Sequence, residues 1–250
     1  MLVTCEPAIL YFGTPVLLIS TINEDGSTNL APMSSAFWLG WRCVLGLAAT
    51  SKTTQNLLRS GECALNLASV DNVAAVDRLA RTTGLHPVPA NKLARGYRFE
   101  REKFRLAGLT PIASETVAPP RARECPVQLE AVTASHHGLA ESDNELRGRT
   151  VIFEMRIQRV HLDDAILIEG EPNRIDPDKW RPLIMSFQKF YGLESRQRHH
   201  SMLGEIPEVL YRSADIDKAR QARPFLGAGP GDAGRNHVLT LDAEPGRSSP

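Results

Sequence analysis

The sequence predicts a mainly β fold in which antiparallel strands are flanked by helices, and three observations carry that expectation. Residues 15–22 (PVLLISTI) form an apolar, β-branched run, and the Asn23-Glu24-Asp25-Gly26 that follows supplies hairpin chemistry, because Asp-Gly accepts positive φ. Residues 149–161 (RTVIFEMRIQRVH) alternate, with Val151, Phe153, Met155 and Ile157 on the buried side of a strand. Between these, residues 28–67 run through a small-residue turn, an apolar strand, a hydroxyl-rich helix start and a second strand.

Taken in order, the strand returning from the hairpin leads through Asn29, Leu30, Ala31, Pro32, Met33, Ser34 and Ser35 into Phe37, Trp38, Leu39 and Trp41. That aromatic-rich cluster suits a core or a subunit interface better than a ligand wall. Residues 43–48 read as a buried strand, and Ser51 is the natural N-cap of a helix that Gly61 ends before a strand over 63–67. A helix start leaves backbone N–H groups unpaired at the positive end of its dipole. With Ser51, Lys52, Thr53 and Thr54 converging there the segment suits a phosphate, although an ordinary capped helix is the plainer reading of the same residues.

Asp71 is expected to cap a helix running to about Ala80, with Val73, Val76, Leu79 and Ala80 on its buried face. Residues 82–97 (TTGLHPVPANKLARGY) break regularity. So long an irregular excursion suits a lid or binding loop, with His86 and Lys92 as its groups of interest and solvated side chains as the plainer reading. A short helix over 100–107, strands over 127–133 and 165–168, a loop over 172–182 and an apolar segment over 183–191 ending at Gly192 complete an expected domain of residues 1–214. Residues 215–250 lose apolar periodicity and are expected to form a disordered tail.

The 250 residues suffice for one large domain with an extension. Lys+Arg and Asp+Glu number 29 each, so net charge gives no reason to expect nucleic acid or an anionic membrane as partner. Cys5, Cys43, Cys63 and Cys125 have no C-x-x-C spacing, which suits a reduced cytoplasmic compartment. No apolar run approaches the roughly 18 residues of a membrane-spanning helix, and the N-terminus carries no signal-peptide pattern. His136-His137 and His199-His200 invite a metal, but adjacent histidines on a strand point opposite ways and no His-x-x-x-His spacing accompanies them, so no metal site is expected. Neither G-x-G-x-x-G, a P-loop nor G-x-S-x-G occurs, which leaves Rossmann, P-loop and serine hydrolase chemistry unsupported.

The run N-L-A-P-M-S-S at 29–35, S-K-T-T-Q-N-L at 51–57, Ser60-Gly61 and L-N-L at 65–67 resembles the flavin reductase-like family. K-F-R-L-A-G-L-T at 103–110 and V-Q-L-E-A at 127–131 are similar to later landmarks of the same family, and the likeness runs from about Glu6 to Tyr191. The resemblance implies an FMN-binding split β-barrel with Greek-key-like antiparallel strands, assembled as a homodimer. It implies one non-covalently bound FMN per barrel, with FAD as the alternative. By position, Asn29, Ala31, Pro32, Met33, Ser34 and Ser35 would lie along the ring and ribityl chain, and Ser51, Lys52, Thr53, Thr54 and Asn56 would hold the phosphate. Phe187 and Tyr191 are candidates to cover a ring, with core packing as the plainer reading. The implied activity is oxidoreduction, with NAD(P)H giving hydride to flavin and a partner monooxygenase receiving it; no protein residue is assigned a catalytic role, because the chemistry belongs to the cofactor.

Two departures qualify the resemblance. Short-chain flavin reductases commonly carry a Gly-Asp-His triplet associated with nicotinamide binding, and the matching region here reads Gly148-Arg149-Thr150-Val151. Extra residues around 82–97 and after Pro172 give room for another substrate. Two alternatives therefore stand beside a flavin reductase: an FMN-dependent enzyme acting directly on an organic, biosynthetic substrate, and a split barrel without cofactor that serves as a binding module.

Overall fold

The computed structural model describes residues 1–194, 197–199 and 201–226. Seven strands form its central antiparallel sheet: β1 (Leu17–Ile22), β2 (Thr28–Met33), β3 (Ala36–Leu39), β4 (Arg42–Ala48), β5 (Glu62–Leu67), β6 (Val127–Gly138) and β7 (Thr150–Leu162). Their spatial order is β2-β1-β5-β6-β7-β4-β3. The two outermost strands are thus consecutive in sequence, with only Ser34 and Ser35 between them. In a flat sheet six gaps would hold these edges roughly 29 Å apart, against about 10 Å for a two-residue link. The sheet therefore curls to bring its two edges within reach of that link, and the Gly46 amide donates to the Ser35 carbonyl at 2.9 Å, continuing the β3–β4 ladder into the link. The result is the expected mainly β split barrel.

Alternation along each strand makes two cores. Leu17, Ile19, Cys43, Leu45, Leu47, Cys63, Leu65, Leu129, Phe153, Met155 and Ile157 fill the barrel, and Leu57 of α1 (Lys52–Ser60) joins them at one end. Val16, Leu18 and Leu30 face outward beneath α2 (Val73–Arg78) and α3 (Lys103–Ala107), which contribute Val76, Phe104 and Ala107. Each fully buried Leu or Phe stabilises the fold by roughly 1.5–3 kcal/mol, so this double-sided burial fixes register, and a one-residue slip would exchange the two cores. Trp38 and Trp41 pack on the barrel core, while Phe37 and Leu39 point outward and stay exposed.

Several element boundaries differ from expectation. α2 is entered through a 3-10 turn, Val70–Asn72, and Asn72 Oδ1 accepts from the Ser69 amide at 2.9 Å, so Asp71 is not the cap. That turn shifts the helical phase: Ala75 is buried and Ala80 exposed. The helix expected over 100–107 is confined to α3, and the strand expected over 127–133 continues to Gly138 because β7 pairs with it throughout. Within 165–168 only Leu167–Ile168 is extended, pairing with Glu171–Ile175, which takes in part of the expected loop. The excursion over 82–97 is braced where Thr82–Thr83 pairs in parallel with Arg98–Phe99.

The segment 183–191 is a hairpin of β8 (Leu183–Ser186) and β9 (Lys189–Gly192), turned at Phe187 and Gln188, whose φ values are 44° and 64°. Positive φ at both central residues matches the twist of paired strands, although no Asn-Gly announces it. Within the expected tail, residues 215–220 instead form helix α4 (Asp215–Arg220), docked by an ion pair from Asp215 to Arg42 at 2.8 Å. The rest of the expected tail, 227–250, and His200 of the paired histidines lie outside the described residues.

Candidate functional site

The site forms where the start of α1 meets the β1–β2 hairpin. Ser51 caps α1, its Oγ accepting from the Thr54 amide at 3.0 Å, and Gly61 ends the helix in the left-handed region at φ 71°. This stop lets β5 turn back into the barrel, which holds the first turn of α1 against β1 and β2. A cleft of about 280 Å³ opens there, lined by Asn29, Lys52, Gly84, His86 and residues 99–101 together with hairpin residues 23–25, 27 and 28.

Polar side chains are buried beneath the cleft in one connected set. Asn29 is 2% exposed and opposes Thr21 across the β1–β2 ladder. Its Nδ2 donates to Thr53 Oγ1 at 3.2 Å and lies 3.4 Å from Thr21 Oγ1, while its Oδ1 accepts from Lys103 Nζ at 3.0 Å. Asn56 Nδ2 donates to Thr21 Oγ1 and to Asn23 Oδ1, both at 2.9 Å, tying the hairpin to α1. Lys52 pairs with Glu24 at 2.7 Å, and this hydrogen bond is the main reason the Glu24 carboxyl titrates below its usual range. Burial pushes the Lys103 ammonium down to about 7. Lys92 donates to Thr83 Oγ1 at 3.3 Å, and burial lowers its pKa as well.

The expected site residues thus divide. Asn29 and Lys52 meet on the cleft, with Thr53 directly behind Asn29. Thr54 turns inward, its hydroxyl donating to the Ala48 carbonyl at 2.8 Å, and Asn56 is spent on the hairpin. Ala31, Pro32, Met33 and Ser34 are half-buried along the edge strand and its link, and Ser35 is exposed. His86 lies on the cleft, its ring 5.0 Å from that of Phe99. Phe187 and Tyr191 are 41% and 53% exposed and do not line it, so neither is core; Phe187 stacks edge-on with Phe12 at 5.1 Å. Lys103 and Gly84 are site residues that sequence reasoning missed. The signal for Lys103 lay in its place just before Phe104 in K-F-R-L-A-G-L-T, whereas nothing local marks Gly84. Among the described residues no cluster of His, Cys, Asp and Glu could hold a metal.

The donor set fits the phosphate end of a flavin nucleotide: an ammonium at the mouth, a capped helix start beside it and buried donors behind. Fold and site together define an antiparallel split barrel with a cleft of mixed charge at its edge strand, where Lys52 pairs with Glu24 and Arg101 with Asp25. Residues 9–194 match the flavin reductase like domain, and the chain belongs to that family. It is 38% identical over 188 residues to the uncharacterized protein YdfE of Bacillus subtilis (strain 168), covering 75% of this chain and 87% of that one. Among solved structures, flavoredoxin of Desulfovibrio vulgaris (Miyazaki F) shares the fold with a TM-score of 0.64 at 20% identity, over 82% of this chain and 100% of that one. Nitrilotriacetate monooxygenase component B from Bacillus cereus shares it with a TM-score of 0.60 at 20% identity, over 75% of this chain and 88% of that one.

Proposed function

We propose that the protein is a flavin-dependent oxidoreductase of the flavin reductase type, which binds FMN and accepts hydride for it from NAD(P)H, with FAD as the alternative flavin. The observation that carries this reading is the meeting of Asn29 and Lys52, one from each of the two resembling motifs, on a single cleft at the start of α1. Bound flavin would supply the hydride chemistry, and the chain supplies binding and orientation. Lys52, the capped start of α1 and Thr53 favour the phosphate. Ala31, Pro32, Met33, Ser34 and Ser35 offer small side chains and backbone along which a flat ring lies. Ser51, Thr54 and Asn56 hold the helix start and the hairpin in shape around it.

One structural neighbour is by its name a monooxygenase component. Delivery of reduced flavin to a monooxygenase is the role we assign here, by a homodimer working in the cytoplasm. Among the described residues no helix is long and apolar enough to cross a membrane, and all four cysteines are free. Visible absorbance of the purified protein with FMN, before and after anaerobic NADH, tests the reading: flavin bands that bleach are expected. Bands that persist favour direct action on an organic substrate, which the His86, Phe99 and Arg101 wall of the cleft would contact. No flavin uptake leaves a binding module.

A further inference from the structure

The flavin reductase like domain spans residues 9–194, and the chain continues past it. Helix α4 brings that extension back to the barrel, but residues 201–211 are exposed throughout. Local chemistry builds them as two 3-10 turns, Met202–Glu205 and Glu208–Tyr211, the first capped by Ser201, whose Oγ accepts from the Leu203 amide at 3.2 Å, and the second entered through Pro207. The first turn presents Met202 and Leu203 to water and the second Val209, Leu210 and Tyr211, with Ile206 between them; exposure runs from 38% at Ile206 to 82% at Met202. At roughly 200 Å² for a fully exposed large side chain, these six present on the order of 700 Å². The largest apolar patch of a typical monomer is about 300–600 Å², so this one has the size of an interaction surface. An ion pair from Arg174 to Glu208 at 3.1 Å ties the arm to the barrel, but both side chains are exposed and such a pair is screened and weak. Fixing a backbone costs entropy that apolar burial ordinarily offsets, and here the arm's own chain supplies little of it.

Both roots of the arm flank β3. It leaves from β9, whose hairpin partner β8 pairs with Thr14–Pro15, a short strand that packs against β3. It returns at Ser213, where a Cβ on Gly40, in the turn after β3, would lie 3.6 Å from the Ser213 Cβ. Yet Phe37 and Leu39 of β3 stay exposed, so the arm does not cover them on its own barrel. Resting on the homodimer assigned above, we propose that residues 201–211 are a clasp that seats on β3 of a second copy of this chain, each arm covering Phe37 and Leu39 of the partner subunit. A second copy is the occupant because one chain carries both halves of the contact, an apolar arm and a bare apolar face side by side, and a two-fold axis satisfies both at once. With Phe37 and Leu39 included, each protomer contributes on the order of 900 Å², against about 800 Å² per partner in a standard interface. β3 itself carries no charged side chain to oppose an apolar arm.

The test sediments the full chain at micromolar concentration as wild type, as an arm variant (Leu203→Glu with Leu210→Glu), as a face variant (Phe37→Glu with Leu39→Glu) and as an equimolar mixture of the two variants. All four side chains already face water, so both variants should melt as the wild type does. The wild type is expected as a dimer, and each variant alone should raise the dimer dissociation constant about a hundredfold or more, because apolar burial is lost at both contacts. The mixture should recover part of the dimer. A heterodimer keeps one intact pairing, the arm of the face variant on β3 of the arm variant, whereas neither variant homodimer keeps any. In the wild type, amides of residues 201–211 should exchange hydrogen more slowly above the dimer dissociation constant than below it. A monomeric wild type overturns the homodimer and the clasp together. A dimer that survives the arm substitutions, a mixture no more dimeric than its components, or arm amides whose exchange ignores concentration overturns the clasp alone, and the last result needs no variant to fold.

Discussion

Glu24 is the side chain that competes for the cleft. Its carboxylate neutralises Lys52 from the hairpin side, so a phosphate reaching that ammonium must displace an anion already there. Because the Glu24 side chain is 56% exposed, the pair is screened and worth only about 0.5 kcal/mol. Glu24→Gln should therefore tighten FMN roughly twofold in a calorimetric titration; unchanged or weaker binding would remove the phosphate from Lys52. Gly84→Ala should do the opposite, since the new methyl would meet Asn29 Oδ1 at 2.8 Å and force Asn29 or Lys52 aside. Overpacking of this kind costs about 1–3 kcal/mol, to be read as a lower melting temperature together with weaker FMN binding. Of these residues, Asn29 and Lys52 could be read from sequence as polar groups beside a small-residue run and a helix start. The partnership of Lys103 with Asn29, 74 positions apart, could not, because lysine is ordinarily a surface residue and only the tertiary fold shows this one buried.

Among the elements, β6 carries a fully buried carboxylate. Glu130 is fully buried at a register shift between Glu130 and Ala131, and its carboxylate accepts from the Glu115 amide at 2.8 Å and the Thr116 amide and hydroxyl at 2.6 Å each. His161 Nε2 on β7 lies 2.8 Å from the same carboxylate. Burial opposes the charge, but the hydrogen bonds from His161, Thr116 and Glu115 outweigh it and hold the carboxyl at about 2. A carboxyl lowered on folding contributes stability that is complete above its unfolded value of about 4.3 and is lost as pH falls toward 2. Glu130→Gln should flatten that acid limb in a circular-dichroism titration, and a limb unchanged from wild type would place the acid sensitivity elsewhere. The V-Q-L-E-A run at 127–131 marked the strand but not this role, since a strict alternation of faces does not anticipate a register shift. Helix α4 escaped for a related reason: it is held by the ion pair to Arg42, 173 residues away, and by Arg159, which donates to the Ala219 and Ala222 carbonyls, and periodicity cannot register either.

For the whole molecule, alternation and turn chemistry announced antiparallel strands, yet the strand order that brings β2 and β3 to opposite edges is a property of the closed sheet. Closure leaves an edge that must be managed, because an exposed apolar edge strand templates association. On β3, Phe37 is 52% exposed and Leu39 68%, while Trp38 between them packs inward. An isologous contact through this face would cover both side chains at once, the arrangement most soluble oligomers adopt. Sedimentation should therefore give a species of twice 27.5 kDa, and the double substitution Phe37→Glu with Leu39→Glu should shift it toward the monomer. Both side chains already face water in the isolated chain, so the variant should keep the melting behaviour of a folded barrel even as it dissociates. A wild type that sediments as a monomer at micromolar concentration would mean that β3 is covered by something other than a second copy.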